Sequence, residues 1–465
     1  MLFHSPQFLV FFAGYFLVHL ATPLRYRLAL ILAGGTIFYA YWNPALAWLP
    51  YLLALLGWGG SMWIARSADV RTRKLRLVLS LMCLIAPLLL FKYTDFVYRE
   101  ILQRVLTLPD WSTGLSLPLG ISFITFTMTA YLVDGYRGSY PIDRRPHMAA
   151  AYMVFFPHLI AGPILRPREL IPQLDHPRRA LDADFKFGIL LFTVGLVKKV
   201  VFATQLADVV DRVYAGPGGL TSFDYLLGIY GFSLQIYCDF SGYTDMAIGL
   251  ARMLGVRLPT NFNRPYAASS VGEFWRRWHM TLSMWLRDYI YIPLGGKRTG
   301  RIGRLRNVLI TMAIGGLWHG ANWTFVLWGV LHGVCIAIGH LFRGTSRRGP
   351  AHGMARYLGI IVTFHVVTLL WILFRAPDLT VAKRVFLGVF SAPHGHIATF
   401  VSGNLYSLVL LAIFLLWHPV DTHARLRLTV REVHPMVLWS ATIAAWAVAV
   451  GVNTGSSAKF IYFDF

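Results

Sequence analysis

The sequence predicts an all-α, multi-pass membrane protein, and three observations predict it. Apolar residues make up 56% of the 465 residues and charged residues only 14%, whereas soluble domains carry about 25% charged residues. Apolar runs of nearly membrane-spanning length recur along the whole chain. The net charge is +22, as expected when Lys and Arg collect in cytoplasmic loops, and no nucleic-acid-binding motif accompanies it. A soluble enzyme, a fibrous protein and a disordered chain are excluded.

Twelve apolar runs are long enough, or nearly so, to cross about 30 Å of hydrocarbon. The first lacks a basic segment before it and a clear cleavage site, so we interpret it as a retained span rather than a signal peptide. The absence of an internal repeat argues against an inverted-repeat transporter. The predicted spans are 6–21, 28–43, 46–65, 76–97, 115–135, 186–212, 222–251, 270–293, 305–342, 356–375, 404–420 and 434–452.

The basic clusters predict the orientation of the first spans. The densest early cluster lies between Arg66 and Arg76 and is therefore placed in the cytoplasm. Each span reverses the side of the membrane, so counting the spans back from this cluster places the N-terminus outside, in the periplasm. Counting the spans forward places Arg137 and Arg145 inside, which agrees with the positive-inside rule.

Segment 148–165 breaks this scheme. It is apolar, but Pro157, Gly162 and Pro163 interrupt it, and basic residues flank both of its ends. A true crossing would place one basic cluster outside the cell. A re-entrant segment, which enters and leaves on the cytoplasmic face, resolves the conflict, provided that protein or a water-filled cavity surrounds its irregular backbone.

Segment 232–255 places polar side chains inside an apolar run, among them Gln235 and Asp239. Two interpretations stay open, namely interhelical hydrogen bonds and the wall of a water-filled tunnel. Asp239 and Asp245 lie six residues apart, a spacing that does not favour a shared two-carboxylate site on a helix.

Segment 272–296 contains the first of two candidate histidines, His279. If the segment is helical, Arg276 and Ser283 occupy neighbouring positions on the same face as His279. Three tryptophans would form a stripe whose ordinary role is packing and interfacial anchoring. These are Trp275, Trp278 and Trp285.

Basic residues lie in this segment and continue into the loop that follows it. They satisfy the positive-inside rule, and Arg and Lys are also the side chains that bind phosphate groups. The sequence leaves open whether they set topology only or dock an anionic donor such as coenzyme A. The candidates are Arg276, Arg298, Arg301 and Arg304.

Segment 305–342 contains the second candidate, His319. As one helix its roughly 38 residues would extend about 57 Å, so it must tilt, protrude or break, and the glycines beside His319 offer the break. An uncharged imidazole there is either a buried residue with a hydrogen-bond partner and no chemical role, or a base that takes a proton from a hydroxyl. Trp318 and Asn322 are its candidate neighbours, whereas His332 is predicted to be structural because it lies nearly opposite on an unbroken helix.

No GxSxG, P-loop or HExxH signature occurs, and no cysteine pair has metal-ligand spacing, so we predict no metal site. Several other stretches occur together and in order. They are FFPHLIAGPI, YCDFSGYTDMAIGLARMLG, RRWHMTLSMWLRDYIYIPLGG, GGLWHGANWTFVLWGVLHG and the ending FIYFDF. Together they resemble the membrane-bound O-acyltransferases, and within that family the branch of the bacterial alginate O-acetyltransferase membrane subunits.

The resemblance implies a single integral-membrane domain over 1–465, with a motif core at about 118–333 and peripheral helices on both sides. It implies about eleven transmembrane helices and re-entrant segments around a central tunnel. It also implies that His319 is the catalytic histidine of the WHG motif and that His279 is the second family histidine.

The implied donor is cytoplasmic acetyl-CoA, with no permanently bound cofactor. The implied partners are periplasmic SGNH-type proteins that acetylate a secreted exopolysaccharide, either alginate-like or cellulose-like, outside the inner membrane. D-alanyl transfer to teichoic acid or acylation of a lipid remains the alternative within the family. A transporter without chemistry is the alternative outside it.

Overall fold

The computed structural model describes residues 1–343, 353–452 and 461, and in that part of the chain every regular element is helical. The longer helices run in chain order with short 3-10 and π turns between them. Their bounds are Pro6–Ala21, Arg27–Ala40, Leu49–Ala65, Val70–Leu88, Ile121–Arg137, Pro146–Val154, Pro167–Asp175, Asp182–Val197, Thr204–Ala215, Ser222–Met253, Gly300–His319, Trp323–Arg343, Met354–Arg375, Leu379–Ser391, Ile397–Trp417, His423–Glu432 and Pro435–Val452.

Six helical stretches of the described chain are long and apolar enough to cross a membrane. Five of them contain a span that the sequence predicts, and the sixth matches the predicted 434–452 to within one residue. They are Pro44–Ala65, Val70–Leu106, Asp182–Ala215, Met354–Arg375, Ile397–Val420 and Pro435–Val452. The predicted polytopic α-helical class is confirmed.

The last of these stretches shows why the chain needs an apolar solvent. Pro435–Val452 is apolar around its whole circumference, yet only Leu438, Thr442 and Ala449 are buried by the protein. Side chains such as Ile443 and Val450 are about 70% exposed. In water this surface would drive aggregation, whereas hydrocarbon is its favourable environment.

The chain forms two compact units. The first unit comprises Met1–Phe192 and Thr244–Pro259, and the second comprises Thr193–Tyr243 and Thr260–Phe465. In the first unit the Leu49–Ala65 helix packs closely on its neighbours through small residues. A side chain at Gly57 would overlap Met128, and one at Gly60 would press on Ser80. Small residues let apolar helices approach closely, as in membrane interiors generally.

The 148–165 segment is broken and buried, as its prolines and glycine predict. Its first helix, Pro146–Val154, has nine residues and is therefore about 14 Å long, roughly half the hydrocarbon thickness. The Tyr152 hydroxyl donates to the Leu165 carbonyl at 2.7 Å and ties the returning chain to the first helix. The segment does not cross as one helix.

An ion-pair network joins the two flanks of this segment. Arg145, just before it, binds Asp175, just after it, at 2.6 Å, and it also binds Asp143 at 2.8 Å. Hydrogen bonds from Arg145 hold the pKa of both carboxyl groups below their usual range, so both stay ionised at neutral pH. The contact between the flanks agrees with a segment that enters and leaves on one face.

We expect cysteines at positions 144 and 168 to react with a membrane-impermeant thiol reagent from the same side. Arg144 and Arg168 are both exposed, and position 144 spares the ion pairs of Arg145. The exposed Cys83 is first replaced by serine to remove background labelling. Reaction of the two cysteines from opposite faces would show a true crossing and contradict the re-entrant arrangement.

One predicted span is wrong. Residues 270–293 form the short helices Val271–Trp275 and Met280–Leu286 and a π turn, Arg287–Tyr291, instead of one helix. The first two are separated at His279, whose φ of 42° and ψ of 55° are left-handed. A non-glycine residue in that region stops a right-handed helix. The predicted common face of Arg276, His279 and Ser283 therefore does not exist.

The predicted break beside His319 is confirmed. The helix Gly300–His319 ends at that residue, Gly320 is extended with φ −159° and ψ 148°, and the next helix starts at Trp323. We call these two helices and their turn the WHG hairpin. The break resolves the excess length of segment 305–342, because each helix alone has 20 or 21 residues, about 30 Å.

Candidate functional site

The WHG hairpin holds His319 at its tip by tight packing and a capped turn. Side chains at Gly316 and Gly329 would overlap backbone carbonyl oxygens of the opposite helix, so only glycine allows this approach. In the turn, the Asn322 side-chain oxygen accepts from the Thr324 N–H at 3.0 Å and caps the start of the second helix. Its amide nitrogen donates to the Pro377 carbonyl at 2.8 Å.

His279 is fixed by a residue that sequence analysis did not single out. The Asn261 side-chain oxygen lies 3.2 Å from His279 Nδ1, and it also accepts from the N–H and hydroxyl of Thr281 at 3.1 and 2.9 Å. A backbone N–H can only donate, so the Asn261 atom is an acceptor and His279 Nδ1 carries the proton. In the neutral ring, Nε2 is then the basic nitrogen.

Histidines and tryptophans alternate through the interior of the second unit. Trp318 contacts His279 and His319 at ring-centroid distances of 6.1 and 4.9 Å. Trp328 contacts His319 and His332 at 5.2 and 4.7 Å. We call these five residues the histidine–tryptophan row.

Each member of the row is at most 3% exposed, and further aromatic rings cover it. Phe374 lies 5.1 Å from His319, and Phe240 lies 4.7 Å from His279, as centroid distances. The Trp275 indole donates to His332 Nδ1 at 3.2 Å. The row thus places two candidate imidazoles, those of His279 and His319, on either side of one indole in an apolar interior.

His332 lies nearer to His319 than an unbroken helix would allow. The break at Gly320 redirects the chain, so that Trp328 touches both imidazoles. The bond from Trp275 to Nδ1 gives His332 a hydrogen-bond partner, in keeping with the structural role predicted for it. Its position at the end of the row makes it a suitable control for substitutions of His319.

The predicted donor arginines lie at the other end of the first hairpin helix. Arg301 and Arg304 are 18 and 15 residues before His319, about 27 and 22 Å along the helix axis. Arg298 is exposed in the preceding turn, and Arg276 is exposed with its guanidinium bound to the Gly272 carbonyl at 2.9 Å. Arg301 and Arg304 are therefore too far along this helix to contact His319.

Two other candidates, Asp239 and Ser283, have structural partners. Asp239 pairs with Lys199 at 2.6 Å, and both side chains are at most 2% exposed. Asp239 also accepts from the Ile461 N–H at 2.8 Å, which favours the hydrogen-bonding interpretation of the polar stretch. The Ser283 hydroxyl donates to the Trp278 carbonyl at 3.3 Å. Gln235 is buried, and its side-chain oxygen accepts no hydrogen bond from the described residues.

Sequence analysis missed Asn261, Trp328 and Phe374 as neighbours of the histidines. Asn261 lies 18 residues before His279 in an irregular stretch, where no periodicity connects the two. Trp328 stands in the WHG segment, but its contact with His319 depends on the turn geometry at Gly320. Phe374 comes from the Met354–Arg375 helix, and only tertiary packing brings it to the site.

We expect His279→Gln to reduce acyl transfer less than substitution of His319 does. Glutamine can keep the bond to Asn261 but has no basic nitrogen, whereas His279→Ala loses both. Activity of membranes that contain equal amounts of each variant measures the difference. His332→Gln is the matched control, because it replaces an equally buried imidazole of the same row, and glutamine can still accept from Trp275. Wild-type activity in both His279 variants would contradict a supporting role in catalysis.

A buried imidazole at a hairpin tip, inside apolar helices, is compatible with a membrane-embedded acyltransferase. A sequence profile of MBOAT, the membrane-bound O-acyltransferase family, matches residues 146–375. The chain is 39% identical over 422 residues to the probable alginate O-acetylase AlgI of Azotobacter vinelandii, covering 89% of this chain and 83% of that protein. The chain belongs to the membrane-bound O-acyltransferase family and is an O-acyltransferase.

Two further relatives show how the family varies. The peptidoglycan O-acetyltransferase of Helicobacter pylori is 35% identical, over 84% of this chain and 80% of that protein. The teichoic acid D-alanyltransferase of Bacillus subtilis is 26% identical, over 54% of this chain and 66% of that protein. Similarity to the two O-acetylating relatives is thus higher and extends further than similarity to the D-alanylating one.

Proposed function

We propose that this protein takes acetyl from cytoplasmic acetyl-CoA and passes it across the inner membrane for O-acetylation of a secreted exopolysaccharide. The observation that carries the proposal is the placement of His319. It is buried at the tip of the WHG hairpin, in a chain similar over most of its length to alginate O-acetylases. The N-terminus of the protein lies in the periplasm, and periplasmic SGNH-type proteins complete the transfer of acetyl to the polymer.

In the proposed step, His319 acts as general base. It accepts the proton of an acceptor hydroxyl while that oxygen attacks the thioester carbonyl of acetyl-CoA. The new C–O bond forms, the C–S bond breaks, and the departing thiolate takes up the proton from His319. General-base help is worth about 10²–10⁴-fold, and holding donor and acceptor together adds a proximity effect.

His279 would support this step from the other side of Trp318. The Nδ1 proton of His279 is donated to Asn261, so its Nε2 can accept a hydrogen bond. The hydrogen bond would come from acetyl-CoA or from the acceptor hydroxyl. The apolar rings around both histidines exclude water, which limits hydrolysis of the thioester.

The acetyl content of the cell's exopolysaccharide tests the proposed function. Deletion of the gene should remove O-acetyl groups from the polymer while polymer synthesis continues, and the wild-type gene should restore them. Cells that receive the His319→Gln gene serve as the control for restoration. A deletion strain with fully acetylated exopolysaccharide would contradict the proposal.

Peptidoglycan is the second candidate for the acetylated polymer, because the Helicobacter pylori relative that carries that name is 35% identical. Muramic acid O-acetyl groups, measured in the same deletion strain, distinguish the two polymers. Loss of O-acetyl from peptidoglycan alone would move the assignment to the cell wall. Loss of D-alanine from teichoic acid would instead support the D-alanyl alternative.

We expect neutralisation of Arg298, Arg301 and Arg304 together to raise the acetyl-CoA concentration needed for half-maximal transfer. Arg301 and Arg304 lie about 27 and 22 Å before His319 along their helix, so they would bind the phosphates of the donor rather than its acyl group. Raised salt should have a similar effect in the wild type, because it screens exposed charges.

A matched triple variant in the His423–Glu432 helix controls for the change in net charge. It replaces Arg425, Arg427 and Arg431, all of which are exposed. If the first triple variant and this control show the same dependence on acetyl-CoA, the three predicted arginines serve topology alone.

A further inference from the structure

The first unit contains a buried guanidinium, that of Arg27, which no carboxylate in the described part of the chain neutralises. Arg27 begins the helix Arg27–Ala40 and is 3% exposed. Its Nη1 donates to His19 Nε2, and its Nε donates to the Thr22 carbonyl at 3.4 Å. Both partners are neutral, and no acidic side chain of the described residues pairs with Arg27.

This arrangement is unfavourable without a counter-ion. A buried charge is normally paired, because the free energy lost when it is removed from water exceeds the free energy gained from neutral hydrogen bonds. The first turn of a helix also carries the positive end of the helix dipole, which repels a cation. An anion at this position would offset both costs.

Two further donors face the same small space. Because His19 Nε2 accepts from Arg27, the proton of the neutral ring lies on Nδ1, which has no partner among the described residues. The hydroxyl of Tyr15 likewise has none. His19 and Tyr15 are 5% and 7% exposed. With Arg27 they line a cavity of about 20 Å³, which has room for a single water or one oxygen of a larger anion.

A second cavity of about 420 Å³ shares the lining residues Leu174 and Pro177 with the first. Arg25 and His147 contribute to its lining, together with the ion pair of Arg145 and Asp175, and its volume is large enough for the remainder of an anionic molecule. Both cavities belong to the first unit, beside the turn between its first two apolar helices.

We propose that this pocket binds a phosphate group. One phosphate oxygen occupies the small cavity, where it accepts from Arg27, His19 Nδ1 and the Tyr15 hydroxyl. A guanidinium beside neutral donors matches the geometry and charge of phosphate. The phosphate belongs either to the headgroup of an anionic phospholipid or to a soluble phosphate compound, and both present the same group to the pocket.

Thermal unfolding of the full chain, purified in a phosphate-free neutral detergent, tests this site. The probes are inorganic phosphate and dioctanoyl phosphatidylglycerol, with dioctanoylglycerol as the phosphate-free control lipid. A ligand that binds only the folded state raises the unfolding temperature as its concentration increases. We expect a rise of a few degrees with at least one phosphate probe and none with dioctanoylglycerol.

The variants locate the effect. Arg27→Gln should require a phosphate concentration about tenfold higher, or more, for the same rise in unfolding temperature, because a charge-assisted contact is lost. Arg66→Gln, which removes an exposed arginine of the same unit, should respond as the wild type does. Tyr15→Phe keeps the charge and the packing and should weaken the response by a few fold, which preserves the test if Arg27→Gln does not fold.

The pattern of responses also identifies the source of the phosphate. Stabilisation by inorganic phosphate indicates a soluble ligand, whereas stabilisation by phosphatidylglycerol alone indicates a lipid headgroup. The proposal is overturned if neither probe stabilises the wild type. It is also overturned if Arg27→Gln and Tyr15→Phe respond as the wild type does.

Discussion

We expect His319→Ala to abolish O-acetylation of the polymer in cells while the protein stays in the membrane at its normal level. The side chain lies at the last residue of a helix, and alanine is the best helix former, so the substitution does not disturb the backbone there. Removal of a general base lowers the rate by about 10²–10⁴-fold. Acetyl content of the exopolysaccharide, normalised to the amount of membrane protein, measures the loss.

His319→Gln separates proton transfer from hydrogen bonding. Glutamine can still donate and accept hydrogen bonds, but it cannot take up a proton, so this variant should fail as well. His332→Gln is the matched control, since it replaces an equally buried imidazole on the other side of Trp328 and can still accept from Trp275. Substantial activity of His319→Gln would make His319 an orienting residue rather than the base.

We expect Lys199→Met to destabilise the protein by roughly 3–5 kcal/mol, because it leaves the carboxylate of Asp239 buried without its cation. Asp239 is 1% exposed and 2.6 Å from Lys199, so water cannot replace the lost partner. The reduction in unfolding temperature in detergent, together with the amount of folded protein in the membrane, measures this effect.

The double variant Lys199→Met/Asp239→Leu supplies the control. It removes both charges and should be more stable than Lys199→Met alone, because two apolar side chains of similar size leave no buried charge. If the double variant is as unstable as the sum of the single changes, the two residues act independently and the ion pair is not the cause.

The sequence predicts those features that depend on local chain properties. The excess length of 305–342 and its glycines predicted the break beside His319, because the hydrocarbon thickness limits a helix and glycine weakens one. Pro157 and Gly162 predicted an interrupted 148–165 segment for the same local reason. Apolar run length predicted the stretches that can cross the membrane.

The failure at 270–293 has an equally specific cause. The run is apolar and aromatic enough to predict a helix, but His279 takes a left-handed conformation there. The Met280 N–H donates to the Asn261 carbonyl at 2.8 Å, and the Asn261 side chain binds His279 and Thr281. These contacts come from a residue distant in sequence, and no periodicity within 270–293 predicts them.

The histidine–tryptophan row was beyond sequence analysis for a related reason. Four of its members lie on the WHG hairpin, but only folding brings His279 to them, and the side of Trp328 that faces His319 depends on the turn at Gly320. The individual histidines could be selected because an ionisable side chain in an apolar run is unusual. Their separation by one indole could not be predicted.

Transfer of radiolabelled acetyl from acetyl-CoA by inside-out membrane vesicles tests the central claim most directly. Such vesicles expose the cytoplasmic face, so the donor reaches its proposed side without transport. We predict that vesicles with the wild-type protein transfer label to a non-thiol acceptor, and that vesicles with equal amounts of His319→Gln do not. Transfer at the wild-type rate by His319→Gln would contradict the assignment of His319 as the base.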